Sequence, residues 1–154
     1  MRTYSTNQIK NIALLGNSGS GKTTLAEAML FEGGVIDRRG DVEHKNTVSD
    51  FHPIEHENQT SMFSSIMYTE FNDHKINILD CPGADDFVGG TVSSLHVADT
   101  GVLVLNAQHG VEVGTEIHSR WLERFNKPVV IMINKCDHDN CLLYTSPSPR
   151  DRTR

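Results

Sequence analysis

Residues 16–23 read Gly-Asn-Ser-Gly-Ser-Gly-Lys-Thr, a glycine-rich turn closed by a lysine and a hydroxyl. The spacing suits a polyphosphate. Gly16, Gly19 and Gly21 let the backbone wrap close to phosphate oxygens and turn N–H groups toward them, with Asn17, Ser18 and Ser20 completing the loop. Lys22 neutralises the β- and γ-phosphates, Thr23 can ligate Mg²⁺, and Thr24 follows in the first turn of a helix whose dipole favours an anion. An incidental lysine after a flexible turn is the competing reading. The apolar run before the motif and the helical pattern after it favour phosphate binding.

Two more chemical groups stand further along. Asp80-Cys81-Pro82-Gly83 follows an apolar run. A carboxylate there can reach Mg²⁺ directly or through water, and Gly83 can offer its N–H to a γ-phosphate. Asn134-Lys135-Cys136-Asp137 follows another apolar run. Asp137 can accept two hydrogen bonds from the N1–H and 2-amino groups of guanine, donors that adenine lacks. Asn134 can brace the loop, and the stem of Lys135 can lie along a purine ring. A strand-ending Asp before a Pro-Gly turn is common, and a polar turn could read like the third group. Three such groups in this order select a guanine-nucleotide switch over an ATPase or a small-molecule kinase.

The elements that must position these groups alternate. Residues 12–15 suit a buried strand, and residues 22–31 a helix with Leu25, Ala28 and Met29 on one face, stopped by Gly33-Gly34. Residues 35–61 are polar and irregular, and a loop of that length inside a compact domain is usually functional. Residues 62–70 are β-prone, with Asn72-Asp73 as a turn signal. Residues 76–79 are a second buried strand, 87–97 a helix weakened by Gly89-Gly90, and 102–105 another strand. Residues 115–126 place Ile117, Trp121, Leu122 and Phe125 on one helical stripe, which Pro128 ends. Residues 129–133 are the last buried strand. Alternating strands and helices imply an α/β fold with a mostly parallel sheet covered on both faces. Ligands then bind beyond the carboxyl ends of the strands.

Length and composition agree with one domain. The chain has 154 residues, 37% hydrophobic and 22% charged, with a net charge of −6. No run approaches the ~20 apolar residues a membrane span needs, so no membrane partner is expected. The acidic balance argues against autonomous nucleic-acid binding. Three cysteines without framework spacing read as free thiols of a reducing cytoplasm. The first ten residues lack the apolar core of a signal peptide. His52 and His56, with His44 near, could suggest zinc, but a polar switch loop explains the same residues.

The three motifs, with Asn11-Ile12-Ala13, Leu30-Phe31, Asp86-Phe87 and Gly110-Val111-Glu112, resemble the start of the GTPase domain of translational GTPases, elongation factor G and its ribosomal-protection cousins above all. The resemblance implies a three-layer α/β/α P-loop G domain over residues 1–140, cut before its last strand and helices. It implies Mg²⁺ as cofactor, GTP and GDP as ligands, and the ribosome as partner of a longer, cytoplasmic protein. It also implies a catalytic set of Lys22, Ser61 and Gly83, with Thr23, Ser61 and Asp80 on the metal. Departures accompany it. Gly19 stands where the family usually has aspartate. Asn58-Gln59-Thr60-Ser61 replaces Arg-Gly-Ile-Thr, leaving Ser61 on the metal-ligand position and Thr60 beside it. Ala84 occupies the position of the histidine that orients the attacking water, and a methyl group cannot do that. The expectation is GTP binding with slow hydrolysis. The alternatives are a nearly inactive GTP-sensing paralogue that regulates the ribosome, and an inactive fragment.

Residues 141–154 differ from the rest. They are rich in Pro and Arg and lack periodicity. Residues 141–151 resemble the one-frame translation of a transposase sequencing adapter, so we read 141–154 as a non-native or disordered tail. Cys136, His138 and Cys141 accordingly carry little weight as a metal site.

Overall fold

In the computed structural model, the structure describes residues 3–137 apart from 43, 45, 50, 51 and 59, and of His56 the backbone only. The expectations for residues 138–154, including His138 and Cys141, lie outside the described residues. The described chain forms one five-stranded sheet in the order β2-β3-β1-β4-β5. The strands are β1 (Ile9–Leu15), β2 (Ser65–Phe71), β3 (His74–Asp80), β4 (Thr100–Asn106) and β5 (Val129–Asn134). The helices are α1 (Lys22–Glu32), α2 (Pro53–Asn58), α3 (Val88–Val97) and α4 (Val113–Arg124). β1 pairs in parallel with β3 and β4, and β4 with β5. β2 alone is antiparallel. Its turn to β3 uses Asn72 and Asp73 at φ 46° and 61°. Those angles suit the tight hairpin turns whose twist matches that of paired strands.

The pleat of β1 sends neighbouring side chains to opposite faces. Ala13 and Leu15 join Leu79, Leu95, Leu103 and Leu122 in a core beneath α3 and α4. Leu14 joins Ala26, Leu30, Met67 and Ile78 in the core beneath α1. The result is the mostly parallel, three-layer α/β arrangement expected. α4 comes close to the sheet at Gly101, where a Cβ would run into the Leu122 side chain. β5 lies at one edge, with Val129, Val130, Ile131 and Ile133 exposed.

Several boundaries differ from the sequence expectation. β1, β3 and β4 extend further than their apolar runs, because ladder pairing carries polar residues such as Lys10 and Asn11. The deep face of α1 is Ala26 and Leu30, with Leu25 and Met29 packed only partly buried beside them. α3 forms despite Gly89-Gly90. Gly90 lies against the Ser64 hydroxyl and Pro82, where a side chain would collide. The stretch 35–61 is not wholly irregular, since α2 begins at Pro53, a residue preorganised for a first helical position. Trp121 and Phe125 pack against the core, as their place on the α4 stripe suggested.

Candidate functional site

The phosphate-loop candidate joins the end of β1 to the start of α1. Gly16, Gly19 and Gly21 have φ of 135°, 73° and 97°, angles an L side chain rarely adopts. Space is also short at two of them. A Cβ on Gly16 would meet the Val104 carbonyl oxygen, and one on Gly21 the side-chain nitrogen of Asn134. Lys22 closes the loop. Its ammonium donates to the carbonyl oxygens of Gly16 at 3.0 Å and Asn17 at 2.8 Å.

Thr23 and Asp80 meet at the next layer. The Thr23 hydroxyl donates to Asp80 Oδ2 at 2.8 Å, and its oxygen lies 3.4 Å from that of Ser61. Two hydroxyls and a buried carboxylate are hard oxygen donors, the set Mg²⁺ prefers. Gly83 follows Asp80 on the turn after β3. A Cβ there would strike the Lys22 ammonium, and the Ser18 nitrogen would be only 2.7 Å away. Ala84 is half-buried with an extended backbone, starting a short 3₁₀ turn at Asp85–Phe87.

A cavity of about 330 Å³ opens over these groups. Ser18, Gly19, Gly21, Lys22, Thr23 and Thr24 line it from the loop and α1. Thr60 and Ser61 line it from the segment before β2, Gly83 from the turn after β3, and Lys135 from the turn after β5. Gly16, Asn17, Ser20 and Asp80 are not among the lining residues; the Gly16 and Asn17 carbonyl oxygens hold the Lys22 ammonium, and Asp80 holds the Thr23 hydroxyl. Asn134, also outside the lining, donates to the Ser20 carbonyl oxygen at 2.9 Å. Asp137 is exposed on the turn beyond Lys135. It is not among the residues lining the cavity, so the structure brings Lys135 but not Asp137 to the site.

Sequence reasoning missed several residues around this centre. Asp41 and Val42 also line the cavity, and the Asp41 carboxylate lies 3.1 Å from His44 Nδ1. Gly114 lets the start of α4 close on the loop, since a Cβ there would sit 2.5 Å from the Asn17 side chain and 3.2 Å from the Gly83 oxygen. His118, one turn on, is buried. The Gly16 N–H donates to its Nδ1 at 3.3 Å, and its Nε2 lies 3.4 Å from the Thr91 hydroxyl of α3. Burial, reinforced by the Lys22 charge, lowers the His118 pKa to about 4. The ring is therefore neutral near pH 7, accepting at Nδ1 and donating from Nε2. Burial likewise pushes the Cys81 thiol up to about 11. The remaining missed pair is Glu27 and Glu55, both buried carboxylates. The only sequence signal for Glu27 was a charge one turn after Thr23, between Ala26 and Leu30.

Comparison with known proteins follows the same outline. The elongation factor Tu GTP binding domain family matches residues 7–148. A mitochondrial ribosome-releasing factor 2 of Candida dubliniensis is 38% identical over 83% of this chain and 16% of its own length. An elongation factor G of Granulibacter bethesdensis is 36% identical over 94% of this chain and 21% of its own. Among solved structures, a Thermus thermophilus protein is 36% identical with a TM-score of 0.85, over 89% of this chain and 21% of that one. Elongation factor SelB from Methanococcus maripaludis, solved with the GTP analogue GPPNHP, is 20% identical with a TM-score of 0.62, over 93% of this chain and 24% of that one, a likeness of fold alone. The chain spans about a fifth of the length of the curated relatives it matches.

Proposed function

Because this chain belongs to the elongation factor Tu GTP binding domain family, we propose that it is the nucleotide-binding part of an elongation factor G-like translational GTPase. It binds Mg²⁺ with GTP or GDP and drives a switch on the ribosome in the full-length, cytoplasmic protein. The observation that carries this reading is convergence. Groups from three strand ends, Lys22 with Thr23, Gly83, and Lys135, line one cavity.

Each residue has a role set by its chemistry. Backbone N–H groups of residues 18–24 and the Lys22 ammonium hold the phosphates at a helix N-terminus. Thr23, Ser61 and Asp80 would hold Mg²⁺, which neutralises phosphate charge when bound. Gly83, which lines the cavity, would offer its N–H to a γ-phosphate. Asp137 selects guanine, because adenine would leave a carboxylate poorly paired at a cost of about 1–3 kcal/mol. Asn134 ties that selectivity to the phosphate loop.

Hydrolysis is slow in this reading. Ala84 offers neither a donor nor an acceptor to an attacking water, and the carboxylates of Asp85 and Asp86 would repel a γ-phosphate. The same alanine favours a second reading, in which the full-length protein senses GTP and regulates the ribosome with little turnover. Equilibrium binding of fluorescent GTP and GDP, followed by phosphate release with and without ribosomes, separates the two. Binding with ribosome-stimulated turnover supports a slow enzyme, and binding without turnover supports the regulator. Failure to bind either nucleotide would overturn both.

A further inference from the structure

His118 stands on α4 with both ring nitrogens engaged, and its two partners belong to different parts of the site. Nδ1 accepts from the Gly16 N–H at 3.3 Å, and Nε2 lies 3.4 Å from the Thr91 hydroxyl. A backbone N–H can only donate, so Nδ1 is the bare nitrogen and Nε2 carries the proton toward Thr91. His118 is 2% exposed and Thr91 is fully buried. An aliphatic side chain would bury at this depth without desolvating two nitrogens. What the imidazole adds is therefore its two directed bonds.

Each bond leads into the site. Gly16 opens the phosphate loop, and its carbonyl oxygen accepts from the Lys22 ammonium at 3.0 Å. One residue is thus held by His118 at its N–H and by Lys22 at its C=O. Thr91 closes the first turn of α3, which starts directly after the 3₁₀ turn at Asp85–Phe87. Only Ala84 separates that turn from Gly83. The start of α4 packs against the same two parts, since a Cβ on Gly114 would meet the Asn17 side chain and the Gly83 oxygen. α4 therefore touches the phosphate loop and the Gly83 turn at Gly114. One helical turn later, at His118, it bonds to the loop and to the helix that the Gly83 turn leads into.

We infer that His118 is a positioning residue that couples the phosphate loop to α3, fixing the Lys22 ammonium and the Gly83 N–H in one arrangement. A nucleoside diphosphate uses the loop alone. A triphosphate uses the loop and the Gly83 N–H together, so the coupling favours the triphosphate. This rests on the nucleotide reading above and adds to it a residue that sets the preference for GTP over GDP.

Titrations of GDP and of a non-hydrolysable GTP analogue test it, on the full-length protein and on variants that still unfold cooperatively. His118→Leu should weaken the analogue about tenfold, and GDP by much less. Thr91→Val removes a hydroxyl outside the cavity lining, and should weaken the analogue in the same direction. In the His118→Leu background it should add little, because both substitutions break one bridge. His118→Gln, which can accept from Gly16 and donate to Thr91, should recover most of the loss. Equal losses for the two nucleotides, additive effects, or full affinity in a leucine variant that merely melts earlier would each overturn the coupling. Should the leucine variant not fold, Thr91→Val decides alone, and an unchanged preference for the analogue over GDP would overturn the inference. A wild-type protein that binds neither nucleotide would instead sink the proposed function, and this role with it.

Discussion

The side-chain amide of Asn134 donates to the carbonyl oxygen of Ser20 at 2.9 Å, fastening the turn after β5 to the phosphate loop. Gly21 makes room for that amide, since any side chain there would displace it. Asn134→Ala should therefore weaken GTP and GDP binding alike, by roughly tenfold, corresponding to one lost hydrogen bond and an unpaired carbonyl at about 1–3 kcal/mol. Parallel titrations with the two nucleotides check it. A loss confined to GTP would place the role of Asn134 at the γ-phosphate instead.

Ala84→His restores a group able to orient water beside the Gly83 turn. Turnover in the presence of ribosomes should rise by about 10²-fold, the lower end of what a positioned acid–base group contributes. Nucleotide affinity should stay unchanged, because position 84 is not among the residues lining the cavity. Single-turnover phosphate release measures the first and equilibrium binding the second. An unchanged rate would mean that Ala84 is not what limits hydrolysis.

His118 makes stability depend on pH in a definite direction. Its folded pKa is lowered from 6.5 to about 4, so between those values the unfolded chain binds the extra proton. Stability is then fully present above pH 6.5 and declines as pH falls toward 4, by up to about 3 kcal/mol from this residue. His118→Gln, which can still accept from Gly16 and donate to Thr91, should flatten that part of the curve. Chemical denaturation at several pH values decides it, and an unaltered slope would assign the acid sensitivity elsewhere.

The thiols should separate cleanly. Cys81 is buried with its pKa pushed up to about 11, while Cys136 is exposed. Near pH 8 only about a thousandth of Cys81 would be thiolate. Brief alkylation of the folded protein, followed by peptide mapping, should label Cys136 and leave Cys81 unmodified until denaturant is added. Early labelling of Cys81 would show that the turn after β3 opens readily.

Much of this site was readable from residues alone. Gly16 follows β1 directly, Lys22 opens α1, and Asp80 and Asn134 close β3 and β5, so their spacing carries both the element boundary and the chemistry. The supports were harder to see, for a physical reason. Glu27 and Glu55 pair with backbone N–H groups, which every residue other than proline carries, so their partners leave no mark in the side-chain sequence. His118 shares its helix with a hydrophobic stripe, and only the packing of α4 shows that it faces Gly16 and Thr91. The helix at Pro53–Asn58 is too short for periodicity to reveal. Three-dimensional closure, not local pattern, supplies these parts.

Gly83 and Ala84 are neighbours under opposite constraints. Gly83 is walled in by Lys22 and Ser18, whereas Ala84 is half-buried on ordinary extended backbone. Selection can therefore rewrite the second position without disturbing the first. In the proposed reading, a substitution at Ala84 would change the rate of hydrolysis and leave the Gly83 turn as it is. On that proposal, the pace of the reaction and the scaffold that carries it would be set at adjacent but independent positions.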